Sequence, residues 1–161
     1  MKVVEIFKSI DGEGIRVGYP VTFIRLAGCN LRCNYCDTKY SYEDEKFTEM
    51  TPQEIYIQVY KLGGKRITLT GGDPLEPKNV NQALEFIMLA KSKNKTVWVY
   101  TGYLYEQIKD MYPGLITLID VLCDGPFIQS LKSPEKPWVG SSNQRVIDVQ
   151  ESLRQNKVVL V

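Results

Sequence analysis

Apolar and polar positions along the chain switch between two periods, and the switches mark out strands alternating with helices. An opening stretch from Val3 to Ser9 predicts a strand that runs into the turn Asp11-Gly12-Glu13-Gly14. After Gly18-Tyr19-Pro20, the run Val21 to Ala27 predicts a second strand, which ends at the first cysteine. Thr51-Pro52-Gln53-Glu54 has the composition of a helix start. Thr51 is the N-cap, Pro52 the first helical residue, and Glu54 the partner that reaches back to the cap. Ile55, Val59 and Leu62 follow at helical spacing, and Gly63-Gly64 stops the helix. Arg66 to Thr70 predicts a short strand closed by Gly71-Gly72-Asp73-Pro74. A helix from Val80 to Ser92 follows, with Ala83, Leu84, Ile87 and Ala90 on one face. Thr96 to Tyr100 predicts the next strand, ended by Thr101-Gly102. Leu104 to Met111 predicts a short helix and Leu115 to Leu122 a strand, with a turn at Asp124-Gly125-Pro126. Two further strands, Arg145 to Val149 and Lys157 to Val161, are predicted on either side of a Gln/Asn-rich connection.

Strands alternating with helices imply parallel βαβ units. A complete eight-fold barrel needs about 250 residues, and this chain has 161. The expected fold class is therefore α/β, a partial, open (β/α) barrel or curved sheet. No repeat or low-complexity tract divides the chain, so residues 1–161 are expected to form a single domain. In such sheets the site lies at the carboxyl ends of the strands. The glycine- and cysteine-rich turns after Ala27, Thr70, Tyr100 and Leu122 all fall there, which predicts one site.

Composition narrows the chemistry. Hydrophobic residues make up 43% of the chain, enough for a real core. Twenty Lys and Arg face nineteen Asp and Glu, a net charge of +1, which offers no electrostatic case for nucleic acid or an anionic membrane. No apolar run approaches the ~20 residues of a membrane span. Met1 to Gly14 contains acidic residues and no leader-like apolar core, so a cytoplasmic location is expected. The chain contains no histidine, which excludes Ser–His or Cys–His nucleophilic catalysis and any imidazole-ligated zinc. In a reducing compartment its four cysteines suit ligands or core positions better than disulfides.

Three of those cysteines stand together in Gly28-Cys29-Asn30-Leu31-Arg32-Cys33-Asn34-Tyr35-Cys36-Asp37, with the spacing C-x3-C-x2-C. Zinc in a structural site wants four ligands, and only the distant Cys123 remains to supply a fourth. A four-iron cluster held by three cysteines keeps one iron open. Unligated buried thiols are the plain alternative, and three within eight residues argue against it. Cys123 follows an apolar strand run and fits a core or sheet position better than a ligand.

This spacing, with the aromatic Tyr35 before the last cysteine, resembles the signature of the radical S-adenosylmethionine superfamily. The resemblance implies a [4Fe–4S] cluster on Cys29, Cys33 and Cys36, with S-adenosylmethionine chelating the open iron and being cleaved to a 5′-deoxyadenosyl radical. Tyr35 would then pack near the adenine. Gly71-Gly72-Asp73-Pro74 resembles the superfamily's GGEP turn, which contacts the methionine amino group; here Asp73 replaces the usual glutamate. Glycines at this turn would leave room for a ligand against the backbone.

Two families share the remaining resemblance. EIFKSIDGEG, FIRLAGC and CDTKYSY resemble 7-carboxy-7-deazaguanine synthase, a radical enzyme that contracts a pterin, 6-carboxytetrahydropterin, toward deazapurine nucleosides. That likeness implies substrate contacts at Glu13 and Arg25, and Mg²⁺ at Thr38. Tyr100 to Tyr103, Ile119 to Phe127 and Gly140 to Arg145 instead resemble the activating protein of anaerobic ribonucleotide reductase. This second likeness is the longer. It implies abstraction of a hydrogen atom from a backbone glycine of a large glycyl radical reductase subunit, with flavodoxin or ferredoxin as electron donor. Asp124, Ser142, Asn143 and Arg145 would line the pocket or the docking rim, although Asp-Gly-Pro is also an ordinary turn sequence.

Overall fold

In the parallel strands, side chains alternate between a face covered by helices and a face left open. The computed structural model of the chain describes residues 1–10, 18–34, 36, 38–42, 46–133, 135–136 and 138–161. The predicted turn carrying Glu13, and the aromatic Tyr35, lie outside the described residues. Among the described residues, β1 (Lys2–Ile10), β2 (Pro20–Leu26), β3 (Thr48–Glu49), β4 (Arg66–Gly71), β5 (Thr96–Tyr100), β6 (Val121–Asp124) and β7 (Arg145–Asp148) form one seven-stranded sheet. Its order is β3-β1-β2-β4-β5-β6-β7. From β2 through β6 each new parallel strand joins the same side of the last, the winding of a barrel. Antiparallel strands flank this block, β1 beside β2 and β7 beside β6, so the sheet stays open.

Helices α1 (Pro52–Lys61), α2 (Val80–Ser92), α3 (Tyr105–Met111) and α4 (Pro113–Ile116) connect the parallel strands, and α5 (Val149–Gln155) follows β7. The start of α1 is the capping box read from the sequence. The Thr51 hydroxyl accepts from the Glu54 amide at 3.2 Å, and the Thr51 amide donates to the Glu54 carboxylate at 2.7 Å. The Thr51 amide and the Thr51 hydroxyl, which also donates to the Glu54 carboxylate at 2.9 Å, hold the Glu54 carboxyl below the usual carboxylate range. Ile24, Leu26, Ile67, Leu69, Val97 and Val99 are buried from the sheet side. Against them lie Ile55 and Val59 of α1, Phe86 and Ile87 of α2, and Ile108 of α3. Each such side chain, fully buried, contributes roughly 1.5–3 kcal/mol. No helix among the described residues is long and apolar enough to cross a membrane.

Three expectations change. Leu115 to Leu122 is not a continuous strand: Pro113 starts the helical turn α4, Leu115 and Ile116 are buried, and pairing begins only at Val121. Asp120 ends that turn by accepting the Lys91 ammonium at 2.8 Å and the Val97 amide at 2.7 Å. The Gln/Asn-rich connection after Asp148 is the helix α5. The Asp148 carboxylate caps it through the Glu151 amide at 2.9 Å, and Asn156 ends it in the left-handed region (φ 49°). Lys157 to Val161 makes one bridge, Leu160 to Ile147, in place of a strand.

Asp124 and Arg145 also take a different role from the one the resemblance implied. Alternation puts both on the helix side of the sheet, with Leu122 and Ile147, and neither lines the cavity described below. Asp124 is fully buried and accepts the Tyr105 amide at 2.7 Å, Arg145 Nε at 3.0 Å and Arg145 Nη2 at 2.5 Å. Arg145 reaches on to Glu106 at 2.8 Å, and that bond holds the Glu106 carboxyl below the usual range. The cluster ties β6, β7 and α3 together. Replacing Arg145 by Ala strands a buried carboxylate, and should lower unfolding free energy in urea by about 3 kcal/mol; a loss under about 1 kcal/mol would contradict this account. The Arg145–Glu106 contribution has a depressed folded pKa, so it is complete above the ordinary glutamate value and fades as pH falls through the lowered one.

Candidate active site

The site begins where β2 ends. Gly28 leaves the strand with a left-handed backbone (φ 92°), and its amide donates to the Ser41 carbonyl at 2.8 Å, closing the cysteine loop at its base. Within the loop Arg32 is also left-handed (φ 52°); its guanidinium donates to the Cys29 carbonyl and lies over the Tyr42 ring at 4.8 Å. Asn30 donates to the Tyr103 hydroxyl at 2.7 Å, which joins the loop to the turn after β5. Cys29, Cys33 and Cys36 are free thiols, each half-buried, and all three open on one cavity of about 540 Å³. Burial pushes the Cys29 thiol pKa up, partly offset by the Leu31 amide 3.5 Å from its sulfur.

The turn after β4 lies directly against this loop. The Gly72 amide donates to the Leu26 carbonyl and the Asp73 amide to the Gly28 carbonyl, both at 2.7 Å. A Cβ on Gly72 would be driven into the Gly28 backbone, and one on Gly71 (φ 104°) would stand 2.6 Å from the Leu26 backbone. The glycines are needed for this backbone packing, where the sequence reading had given them to ligand space. Both still line the cavity. The Asn79 amide group donates to the carbonyls of Ala27, Gly28 and Asp73 at 3.1, 3.3 and 2.9 Å, stitching the same seam from below.

Asp73 lines the cavity, but its carboxylate is buried and occupied. It accepts the Leu75 amide, the Thr101 hydroxyl and the Gly102 amide, each at 2.9 Å. Burial pushes its pKa up, and those donors pull it back. The residue that resembles a methionine-amine contact thus holds the turns after β4 and β5 together. Pro74 is buried outside the lining. Thr38 lines the cavity with its hydroxyl oxygen 3.4 Å from the Cys36 sulfur. Arg25 does not line it: the guanidinium pairs with Glu5 at 2.6 Å and faces the Tyr40 ring. Glu13 and Tyr35 are outside the described residues.

Of the far wall, the resemblance had pointed to the stretches Asp124 to Phe127 and Ser141 to Arg145, and Gly125, Phe127 and Gln144 do line the cavity; the rest was missed. Thr70, Tyr100 and Cys123 occupy the cavity-facing positions of β4, β5 and β6, one step out of phase with the core positions Leu69, Val99 and Leu122. Period two along each strand could have found them. Cys123 is buried as expected, yet it faces this cavity. The excursion from Gly125 to Gln144 adds Phe127, Trp138, Val139 and Gly140. Ser142 and Asn143, expected near a ligand, instead fasten this excursion: the Ser142 amide donates to the Leu131 carbonyl and the Asn143 side chain to the Pro126 carbonyl.

The donor set fits an iron–sulfur cluster. Three thiols from one loop share one cavity, and three cysteines can hold a four-iron cluster with one iron left open. A cluster spreads its cysteines over several irons, whereas structural zinc gathers four ligands on one point.

Comparison with known proteins agrees with that donor set. Residues 10–147 match the family model described as a 4Fe-4S single cluster domain. The anaerobic ribonucleoside-triphosphate reductase-activating protein of Haemophilus influenzae is 35% identical over 142 residues, covering 84% of this chain and 88% of that protein. The 7-carboxy-7-deazaguanine synthase of Clostridium acetobutylicum is 51% identical over 89 residues, 55% of this chain, and the chain spans 40% of its length. QueE from Escherichia coli shares the fold with a TM-score of 0.54 and 24% identity, over 63% of this chain and 51% of that one.

The seam between the two turns can be tested on the protein without its cofactor. Gly72→Ala forces backbone apart and should lower stability by about 1–3 kcal/mol, with reduced iron uptake on reconstitution. Gly114→Ala, where nothing lies within 4 Å of the added carbon, is the control and should leave both unharmed. Equal behaviour of the two variants in urea melts and iron assays would refute the packing role.

Proposed function

The chain belongs to the 4Fe-4S single cluster domain family of radical S-adenosylmethionine proteins, and on that premise we propose that it activates an anaerobic ribonucleoside-triphosphate reductase. It would do so by removing a hydrogen atom from a backbone glycine of the large reductase subunit. The observation that carries this reading is the match with an activating protein along most of both chains. A [4Fe–4S] cluster supplies, when bound, the electron that cleaves S-adenosylmethionine and so the means to abstract an unactivated hydrogen.

The rest falls to the chain's own residues. We assign Cys29, Cys33 and Cys36 as the cluster thiolates. Cys29 must lose a proton that burial helps it keep, so metal uptake has to drive that ionisation. We also assign Gly71 and Gly72, which line the cavity, and Tyr35, which is outside the described residues, to the binding of S-adenosylmethionine. Asp73 is a positioning residue that ties this turn to the one after β5, and Pro74 is buried beside it. No general acid or base is required for hydrogen-atom transfer, in keeping with a chain that has no histidine. The electron would come from a flavodoxin or ferredoxin, in an anaerobic setting.

One observation favours a second reading. Thr38 lies in the cavity beside Cys36, where the deazaguanine synthase likeness implies Mg²⁺. Against it, Arg25 is held by Glu5 and Tyr40, away from the lining where a pterin would need it.

Anaerobically reconstituted, reduced protein should release 5′-deoxyadenosine and, mixed with a class III reductase, give a glycyl radical doublet by electron paramagnetic resonance. Alanine at any of the three cysteines should abolish both signals along with iron binding. Absence of the doublet, with turnover of 6-carboxytetrahydropterin, would overturn the activating role in favour of the synthase.

A further inference from the structure

The Gly125 to Gln144 excursion leaves β6 and returns as β7, and it is tied down by its own hydrogen bonds. Gln144 accepts the Gly140 amide at 2.9 Å and the Ser141 amide at 3.1 Å, and donates to the Gly125 carbonyl at 2.9 Å. The Lys136 ammonium donates to the carbonyls of Ser142 and Gln144 at 2.8 and 2.6 Å. The Ile128 amide donates to the Ser141 hydroxyl, and Lys132 bridges to Ser141. These bonds fasten the described residues of the excursion to one another.

Two aromatic rings of the excursion face the cavity, and each is braced from behind. Phe127 lies on Gly140, whose added Cβ would stand 2.9 Å from the ring. Trp138 meets Trp98 of β5 edge-on, with centroids 6.0 Å apart. Trp138 also has a left-handed backbone (φ 61°), a costly conformation for a bulky residue and one that collects at functional sites. In the sheet, β4 and β5 separate β6 from the strand that carries the cysteine loop, a span of about 14 Å at the usual strand spacing. The aromatic rings and the cysteines therefore stand on different walls of one cavity.

We propose that Phe127 and Trp138 are specificity-determining residues that receive an extended, glycine-containing segment of the partner protein and hold it toward the cysteine side of the cavity. The proposal rests on the activating role proposed above. A peptide occupant is favoured over a small heterocycle by exposed apolar side chains next to this wall. Ile128 and Leu131, neighbours in sequence of the lining residues Phe127, Gln129 and Lys132, are 38% and 41% exposed, and Leu104, 40% exposed, lies 3.7 Å from a Cβ built on Gly125 at the start of the excursion. A small molecule inside the cavity would leave those side chains bare, whereas a protein partner covers them.

The test uses the full chain, reconstituted, and two measurements. Calorimetry with a synthetic peptide carrying the reductase's radical-site glycine should give a dissociation constant about tenfold weaker for Phe127→Ala and for Trp138→Ala. The yield of glycyl radical per 5′-deoxyadenosine released should fall severalfold in both. Phe127→Leu and Trp138→Phe should recover part of each loss, and unchanged iron content controls for folding. Unaltered peptide affinity and unaltered coupling in both alanine variants, beside an active unmodified protein, would overturn the wall assignment alone. If the unmodified protein forms no glycyl radical while the alanine variants lose pterin turnover, the activating role fails and the same wall serves a small substrate.

Discussion

The backbone of the turn after β4 rests on the backbone of the turn after β2, and the geometry of the site follows from that contact. Two amides of one turn donate to two carbonyls of the other at 2.7 Å, and Asn79 donates to two more, Ala27 and Asp73, and again to Gly28. Each such bond is worth only about 1 kcal/mol net, but each buried group left without a partner costs about 1–3 kcal/mol. The seam is therefore held less by the strength of its bonds than by the cost of opening any of them. Glycine is required because the chains approach too closely for any Cβ. The cysteine loop inherits its position from this contact, since the loop starts at Gly28.

Asp73 carries the constraint one strand further. Its amide belongs to the seam, while its carboxylate binds the Thr101 hydroxyl and the Gly102 amide after β5. Three strand ends are thus fixed by one residue and its neighbours. The Asn30–Tyr103 bond returns from β5 to the cysteine loop. Burial opposes the charge on this carboxylate and pushes the Asp73 pKa up. Three donors make the arrangement tolerable. Aspartate, shorter than glutamate, keeps its acceptor close to its own backbone, within reach of the Leu75 amide in the same turn and of Thr101 and Gly102 in the next.

Local rules carried much of the fold into the sequence. The Thr51–Glu54 capping box, the glycine stop of α1, the parallel strands at Arg66 and Thr96 and the cysteine spacing were all readable, because each depends on residues within a few positions of one another. What escaped depends on pairing across the sheet or on a competing local signal. Arg145 meets Asp124 only because β7 returns antiparallel beside β6. No spacing in the sequence reports a partner 21 residues away. Leu115 and Ile116 looked like strand because they are apolar and branched, but Pro113 sets a helical turn and tertiary burial accepts either shape. Glycines at Gly71 and Gly72 suggested open space, and only the packing showed that the space was already filled by Gly28 and Leu26.

The open edge of the sheet explains why two family likenesses meet in one chain. A closed barrel would wall the cavity with further strands, each bound to its neighbours by a hydrogen-bond ladder. Here the parallel block stops at β6, and a self-fastened excursion supplies the remaining wall. Such a wall can change in length and side chains without disturbing the seam, the cysteine loop or the core under β2 to β5. The short motifs quoted for the two likenesses fall on either side of the same line. The segments that resemble the deazaguanine synthases lie before β5, in the part that holds the cysteines. Those that resemble the activating proteins begin at Tyr100 and run through Asp124 to Arg145, the part that builds the wall. Shared chemistry on one side and partner choice on the other is the division this topology permits.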